Sequence, residues 1–200
     1  MKKTRYEMRI AGSGGQGIIT AGIILAEAAV ADGRHVAQSQ NYGPEARGGI
    51  SVSEAVISDV EIDYPWALQL DLLVALTQGG CDRNLPDMKA EGVVIVDSGL
   101  VHRVLWGRVI SLPLGQIARK VGEERAINVA ALGAIKAFCP RVSRRSLEKA
   151  ITEKLPQVKA RANLEAFEEA MKIASAMKSN LKVSARRRLR PVEAKEEFEI

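Results

Sequence analysis

Two glycine-bearing segments hold the residue types best suited to chemistry in this 200-residue chain. The first, Gly12-Ser13-Gly14-Gly15-Gln16-Gly17, follows the short run Met8-Arg9-Ile10-Ala11. A glycine turn between a strand and a helix lets the backbone reverse tightly. It also lets an anion approach the free amides of a helix N-terminus. The second segment is Asn41-Tyr42-Gly43-Pro44-Glu45-Ala46-Arg47-Gly48-Gly49. Pro44 stiffens it, and its glycines allow positive φ. Arg47 offers a planar cationic fork suited to a carboxylate or a phosphate. Glu45 either braces Arg47 within the loop or leaves it for an interface or a ligand.

The first segment has the G-x-G-x-x-G spacing, but half of the dinucleotide context is missing. A ribose-binding carboxylate belongs at the end of the second strand. Here that strand ends Val36-Ala37-Gln38-Ser39, with neither a carboxylate nor an arginine for a 2′-phosphate. No Walker lysine follows the glycines, so this is not a P-loop. The turn is therefore read as structural, or as presenting amides to a partner subunit or a ligand. No catalytic residue is assigned, since no nucleophile–base pair or paired carboxylate is evident. Cys81 and Cys139 lie far apart with no C-x-x-C spacing, and His35 and His102 make no His-rich site. We therefore expect no metal, iron–sulfur cluster or other cofactor in this chain.

Composition narrows the class. The hydrophobic fraction is 46% with only 4% aromatic residues, so a core of Ala, Val, Ile and Leu is expected. Lys2 and Lys3 are not followed by an apolar signal core, and the apolar run from Ile18 to Val30 is too short to span a bilayer. The expectation is a cytoplasmic protein with no membrane partner. The net charge of +5 is concentrated near Arg186, Arg187, Arg188 and Arg190. That cluster lacks interleaved aromatics or a recognisable module, which argues against nucleic-acid binding. Residues 181–200 are read as a charged C-terminal tail on a single domain spanning 1–180.

The elements that must position the two loops follow from periodicity. Arg5–Ala11 reads as the first strand, then a helix from Gln16 to Ala31 that is apolar almost all round and ends at Asp32-Gly33. His35–Ser39 is the second strand, and Ile50–Ile57 the third, its alternation broken at Glu54. Leu72–Leu76 and Val93–Asp97 are continuous apolar runs, as in strands buried on both faces. Val109–Leu112 is the last strand. Short helices are expected at Leu85–Ala90 and Gly115–Val121. Longer ones are expected around Ile127–Phe138, Leu147–Leu155 and Leu164–Met177, with Pro140 and Pro156 as stops. The alternation predicts an α/β, Rossmann-like doubly wound, mostly parallel sheet with C-terminal helices. If strands one and two lie side by side and parallel, both glycine loops emerge at one edge.

The chain resembles the gamma subunits of 2-oxoacid:ferredoxin oxidoreductases over roughly residues 5–180. The resemblance rests on Arg9–Ile18, on Gln40–Gly49 with its Tyr-Gly-Pro-Glu-Ala-Arg-Gly-Gly string, on Asp71–Leu76 and on Asn128–Ala134. The loop spelling is most similar to the 2-oxoglutarate (KorC-like) branch. The pyruvate and 2-oxoisovalerate branch tends to carry Gly-Pro-Glu-Arg-Arg-Gly, and the indolepyruvate branch a Thr-His-Gly form. The resemblance implies a non-autonomous subunit of an enzyme that converts a 2-oxoacid, CoA and oxidised ferredoxin into acyl-CoA, carbon dioxide and reduced ferredoxin. It also implies alpha and beta catalytic subunits and a ferredoxin-like delta subunit or domain, with thiamine diphosphate, Mg and iron–sulfur clusters held there. CoA is the co-substrate and an external ferredoxin the acceptor. A stand-alone nucleotide- or phosphate-binding Rossmann-like module is the alternative.

Overall fold

The computed structural model describes residues 5–42 and 49–188. A six-stranded sheet in the order β2-β3-β1-β4-β5-β6 organises the chain. Its strands are β1 (Arg5–Ser13), β2 (His35–Tyr42), β3 (Ile50–Ser58), β4 (Leu70–Ala75), β5 (Met88–Asp97) and β6 (Val109–Leu112). β1, β4, β5 and β6 pair in parallel, whereas β3 runs antiparallel to both β1 and β2. The sheet is thus mixed, with five strands pointing one way and β3 the other. β1 and β2 are parallel but not neighbours, because β3 lies between them. Both nevertheless end at the same edge, where Ser13 faces Ile50 and Tyr42 faces Ser51.

Glu54, which breaks the alternation of β3, has a partner across the sheet. Arg9 is opposite it in register, and the two meet at 2.6 Å. The Arg9 guanidinium also donates to Asn84 Oδ1 at 2.9 Å and to Ala67 O at 3.2 Å. Arg9 is only 8% exposed, so its charge depends on these partners.

The two faces of the sheet are covered unequally. On one face α1 (Ile18–Ala31), α3 (Leu114–Lys120), α4 (Ile127–Phe138), α5 (Arg144–Lys154) and α6 (Ala160–Arg188) build the larger core, with Ile10, Leu72, Val74 and Ile95 beneath them. The alternate residues Ala11, Leu73, Ala75, Val94 and Val96 face a smaller core with Cys81. Among the described residues this side carries α2 (Gln78–Asn84), a short 3-10 turn and loops. The loop between β3 and β4 is held by side chains of β1. Arg5 donates to Tyr64 O and Trp66 O, both at 2.7 Å, and Glu7 accepts from the amides of Leu68 and Gln69. Yet Tyr64, Trp66 and Leu68 are each at least half exposed.

Close approaches explain two glycines. A Cβ on Gly22 would land on Ser53 of β3, which lets α1 lie directly on the sheet. One on Gly133 would strike the Phe167 carbonyl, with Phe167 C at 3.0 Å and Met171 N at 3.1 Å, so α4 and α6 cross backbone to backbone.

The helix expected at Leu85–Ala90 is absent. Helix α2 occupies Gln78–Asn84, a 3-10 turn covers Leu85–Asp87, and β5 has begun by Met88. The hydroxyl of Thr77 accepts from Gly80 N–H at 3.2 Å, which makes Thr77 the N-cap of α2. The last helix is also longer than its apolar pattern suggests: α6 runs 29 residues, Ala160–Arg188, into the segment 181–200 read as a tail.

Candidate functional site

The glycine turn sits where β1 hands over to α1. Gly12 and Ser13 still belong to β1, Gly14, Gly15 and Gln16 form the turn, and Gly17 is the N-cap of α1. Gly15 (φ 92°) and Gly17 (φ 72°) have left-handed backbones that side chains disfavour. Gln16 folds back over the turn: its Oε1 accepts from Ser13 N–H at 2.8 Å. That carboxamide fills the space over Gly12, where a Cβ would also come within 2.7 Å of Ile18 Cδ1. Behind Gly17 stands Asn128 of α4, whose Nδ2 donates to Gly17 O at 3.3 Å; a Cβ on Gly17 would lie 2.9 Å from Asn128 Cγ. Gly17 is thus favoured by its own backbone and by Asn128 packed against it, and Gly12 is close-packed by the side chains of Gln16 and Ile18. Gly14 faces open space.

The second loop begins beside this turn. Asn41 and Tyr42 end β2, Gly49 leads into β3, and Gly14 N–H donates to Gly49 O at 3.2 Å. Gly43, Pro44, Glu45, Ala46, Arg47 and Gly48 lie outside the described residues. The structure therefore brings together the glycine turn and both ends of the second loop.

Two clefts flank the turn. The larger, about 530 Å³, runs from Gly15 and Gln16 past Asp97 to Arg119 and Arg125. Asp97 was not singled out in the sequence, although it closes the apolar run of β5. It is 2% exposed and both its oxygens accept from backbone, Oδ1 from Gly99 N–H at 2.9 Å and Oδ2 from Gly115 N–H at 2.7 Å. These two bonds tie the Asp97 carboxylate to the loop after β5 and to the start of α3. The smaller cleft, about 220 Å³, lies between the α1 N-terminus, α4 and α6, and takes in Thr20, Asn128, Lys159 and Asn163. Asn163 was also missed. Its signal is a polar residue on the stripe that continues through Ala166, Phe167, Ala170 and Ala174, all fully buried.

The candidate metal ligands are dispersed. Cys81 is buried in the smaller core and Cys139 in the larger, on opposite faces of the sheet. Burial pushes each thiol up to about 11, so neither is a ready thiolate. His35 and His102 are exposed and lie on separate elements. This residue set does not fit an iron–sulfur cluster, which needs four ligands in one place. Among the described residues no helix is long and apolar enough to cross a membrane.

Comparison with known proteins gives one consistent family. A family model described as pyruvate ferredoxin/flavodoxin oxidoreductase matches residues 7–173. The 2-oxoglutarate synthase subunit KorC of Methanocaldococcus jannaschii is 42% identical over 178 residues, covering 86% of this chain and 95% of that protein. The ketoisovalerate oxidoreductase subunit VorA of Methanothermobacter thermautotrophicus is 39% identical over 132 residues, 66% of this chain but only 28% of that longer one. Among solved structures, the gamma subunit of a keto/oxoacid ferredoxin oxidoreductase from Geobacter sulfurreducens superposes with a TM-score of 0.76. It is 42% identical and covers 86% of this chain and 99% of that one.

Proposed function

Because this chain belongs to the pyruvate ferredoxin/flavodoxin oxidoreductase family, we propose that it is the gamma subunit of a 2-oxoacid:ferredoxin oxidoreductase, inactive alone. The observation that carries this is the near end-to-end match to subunits of that size and name. In this reading the complex turns a 2-oxoacid, CoA and oxidised ferredoxin into acyl-CoA, carbon dioxide and reduced ferredoxin in the cytoplasm. Alpha and beta subunits and a ferredoxin-like delta subunit or domain are its partners. Thiamine diphosphate, Mg and iron–sulfur clusters are held by those partners, consistent with two cysteines buried on opposite faces here. The exposed Tyr64, Trp66 and Leu68, on a loop whose backbone is fixed, also suit a chain that works in an assembly.

The substrate in this reading is 2-oxoglutarate, supported by the KorC relatives and the loop spelling. The VorA likeness at 39% makes 2-oxoisovalerate the competing acid. Initial rates of the assembled enzyme across pyruvate, 2-oxoglutarate, branched-chain and aryl 2-oxoacids decide the point. A preference for any acid but 2-oxoglutarate refutes the assignment.

The edge carrying both glycine loops faces the catalytic subunits, with Arg47 set to meet a partner carboxylate or a phosphate of CoA. Support comes from the shared edge of β1 and β2 and from the Gly14–Gly49 hydrogen bond. Removing one member of a buried charged pair costs about 2–5 kcal/mol. Arg47→Ala is therefore expected to weaken assembly, or raise the apparent KM for CoA, about tenfold or more, while the subunit stays folded. If Arg47 only braces Glu45, the variant lowers the melting temperature of the subunit and leaves assembly and CoA kinetics unchanged.

A further inference from the structure

We propose that the free edge of β2 and the flank of α1 beside it form a dimer interface with a second copy of this chain. The sheet has two lateral edges, β6 and β2. An edge strand presents unpaired N–H and C=O groups, and proteins usually blunt it with shortness, charge, proline or a bulge. The β6 edge is blunted: it has four residues, with Arg108 before it and Pro113 after it. The β2 edge is not. It runs eight residues, from His35 to Tyr42, without Asp, Glu, Lys, Arg or Pro. Its pairing with β3 keeps one register along that whole length, so no bulge turns it away. Among the described residues β3 is its only strand neighbour. Alternate residues of such a strand aim their backbone groups outward. Ser39 O takes a side-chain bond, from Gln38 Nε2 at 3.0 Å, and a carbonyl keeps a second lone pair for another donor.

An apolar helix flank lies beside this edge. Gly22 of α1 rests on Ser53 of β3, and a Cβ there would sit 3.5 Å from Gln38 Nε2 of β2. On another side of the helix, Glu27 meets Lys154 of α5 at 2.7 Å. Ala21, Ile24 and Ala28 turn into the core and are fully buried. At 100° per residue, Ile19, Ile23, Ala26 and Val30 occupy the arc between Gly22 and Glu27, opposite that core side. This flank therefore looks out past β2. Ile19, Ile23 and Ala26 are half-buried, and Val30 is 60% exposed. Their spacing, every three or four residues, is that of a helix–helix seam.

The two surfaces together select a copy of the same chain. An extended segment of another protein would pair with β2 but leave the α1 flank bare. A two-fold axis perpendicular to the sheet, near Gln38 and Ser39, covers both. It sets β2 antiparallel to its copy and joins two six-stranded sheets into one. It also keeps the two α1 helices on the same side, where their apolar flanks meet across the seam. Because Gly22 lies over Gln38, Ile23 falls near the axis and meets its own copy. Nothing in the seam repels: β2 has no carboxylate, lysine or arginine, and Glu27, the sole charged residue of α1, is paired with Lys154.

This interface does not rest on the subunit reading, and the full chain tests it without other subunits. Sedimentation equilibrium over a range of concentrations gives the mass and the dimer dissociation constant, and hydrogen exchange reports the β2 amides. The parent is expected at twice its monomer mass, with amides protected along β2. Ile23→Lys brings two like charges together at the axis, and Gln40→Lys puts a lysine on the exposed edge. Neither position is buried, so far-ultraviolet circular dichroism should match the parent. Each variant is expected to raise the dimer dissociation constant about a hundredfold or more and to release the outward β2 amides to exchange. A monomeric parent overturns the proposal; β2 amides that are then protected only in the native complex assign the edge to a strand of another subunit. A dimer that neither variant weakens also overturns it, because the contact then lies elsewhere.

Discussion

Gly17→Ala tests whether the glycine turn is built by the chain's own packing. Gly17 has φ 72°, and its missing Cβ would fall against the Asn128 carboxamide, with Cγ at 2.9 Å. Holding alanine in the left-handed region costs about 1–2 kcal/mol. Displacing Asn128 from Gly17 O forfeits one neutral hydrogen bond, about 1 kcal/mol. The sum is about 2–3 kcal/mol, or a fall in Tm of roughly 4–12 °C for a chain of this length. Asn128→Ala alone should cost about 1 kcal/mol. In the double variant the clash is gone and the hydrogen bond is lost only once. Its destabilisation should therefore fall about 1 kcal/mol short of the sum of the single changes. Urea unfolding of the four proteins, read by far-ultraviolet circular dichroism, supplies the cycle. A Gly17→Ala variant within about 0.5 kcal/mol of the parent, the usual range for inconsequential changes, refutes the reasoning. So does strict additivity of the two substitutions.

Two further outcomes are expected. Gly133→Ala drives a methyl into the Phe167 carbonyl, where only backbone can yield, and should destabilise by at least about 3 kcal/mol, measured by the same unfolding assay. Burial raises the Glu7 carboxyl, but the amide of Gln69, the guanidinium of Arg5 and the amide of Leu68 outweigh it and hold the group below its usual value. A depressed carboxyl stabilises the fold above its unfolded pKa of about 4.3 and loses that contribution as pH falls through the folded value. Glu7→Gln should therefore destabilise at pH 7 and flatten the stability profile below about pH 4.3, with no difference from the parent remaining in strong acid. A constant deficit across pH would show that the carboxyl charge is not what holds the β3–β4 loop.

The parts of the fold legible in the sequence are those where burial is local and complete. Leu72–Leu76 and Val93–Val96 are buried on both faces, so their continuous apolar spelling announces central strands. Helix α1 is legible from its apolar spelling, although only one side of it is enclosed: Ile18, Ala21, Ile24, Leu25, Ala28 and Ala29 are buried, whereas Val30 is 60% exposed. Helix α2 was hidden by Gly79 and Gly80, poor helix formers; Gly80 sits there because a Cβ would crowd Ala11, with the nearest Ala11 atoms at 3.2 Å. The insertion of β3 between β1 and β2 is a long-range pairing choice. The cross-strand Arg9–Glu54 pair encodes it without periodicity. At the site, the turn residues and the shared edge could be anticipated, since glycine marks backbone geometry directly. Asn128, which bonds Gly17, and Asn163, which lines the cleft beside the turn, could not be placed there, because they come from helices more than a hundred residues further along the chain.

The central claim is that this chain works as one subunit of a larger oxidoreductase. Isolating the chain from its native cells under mild conditions, with mass analysis of the intact assembly, tests it most directly. The account predicts a stoichiometric complex containing a thiamine-diphosphate-binding partner and iron–sulfur absorbance, which reduces ferredoxin only when 2-oxoacid and CoA are both supplied. Recovery of the chain by itself, folded and free of any such partner, would contradict it.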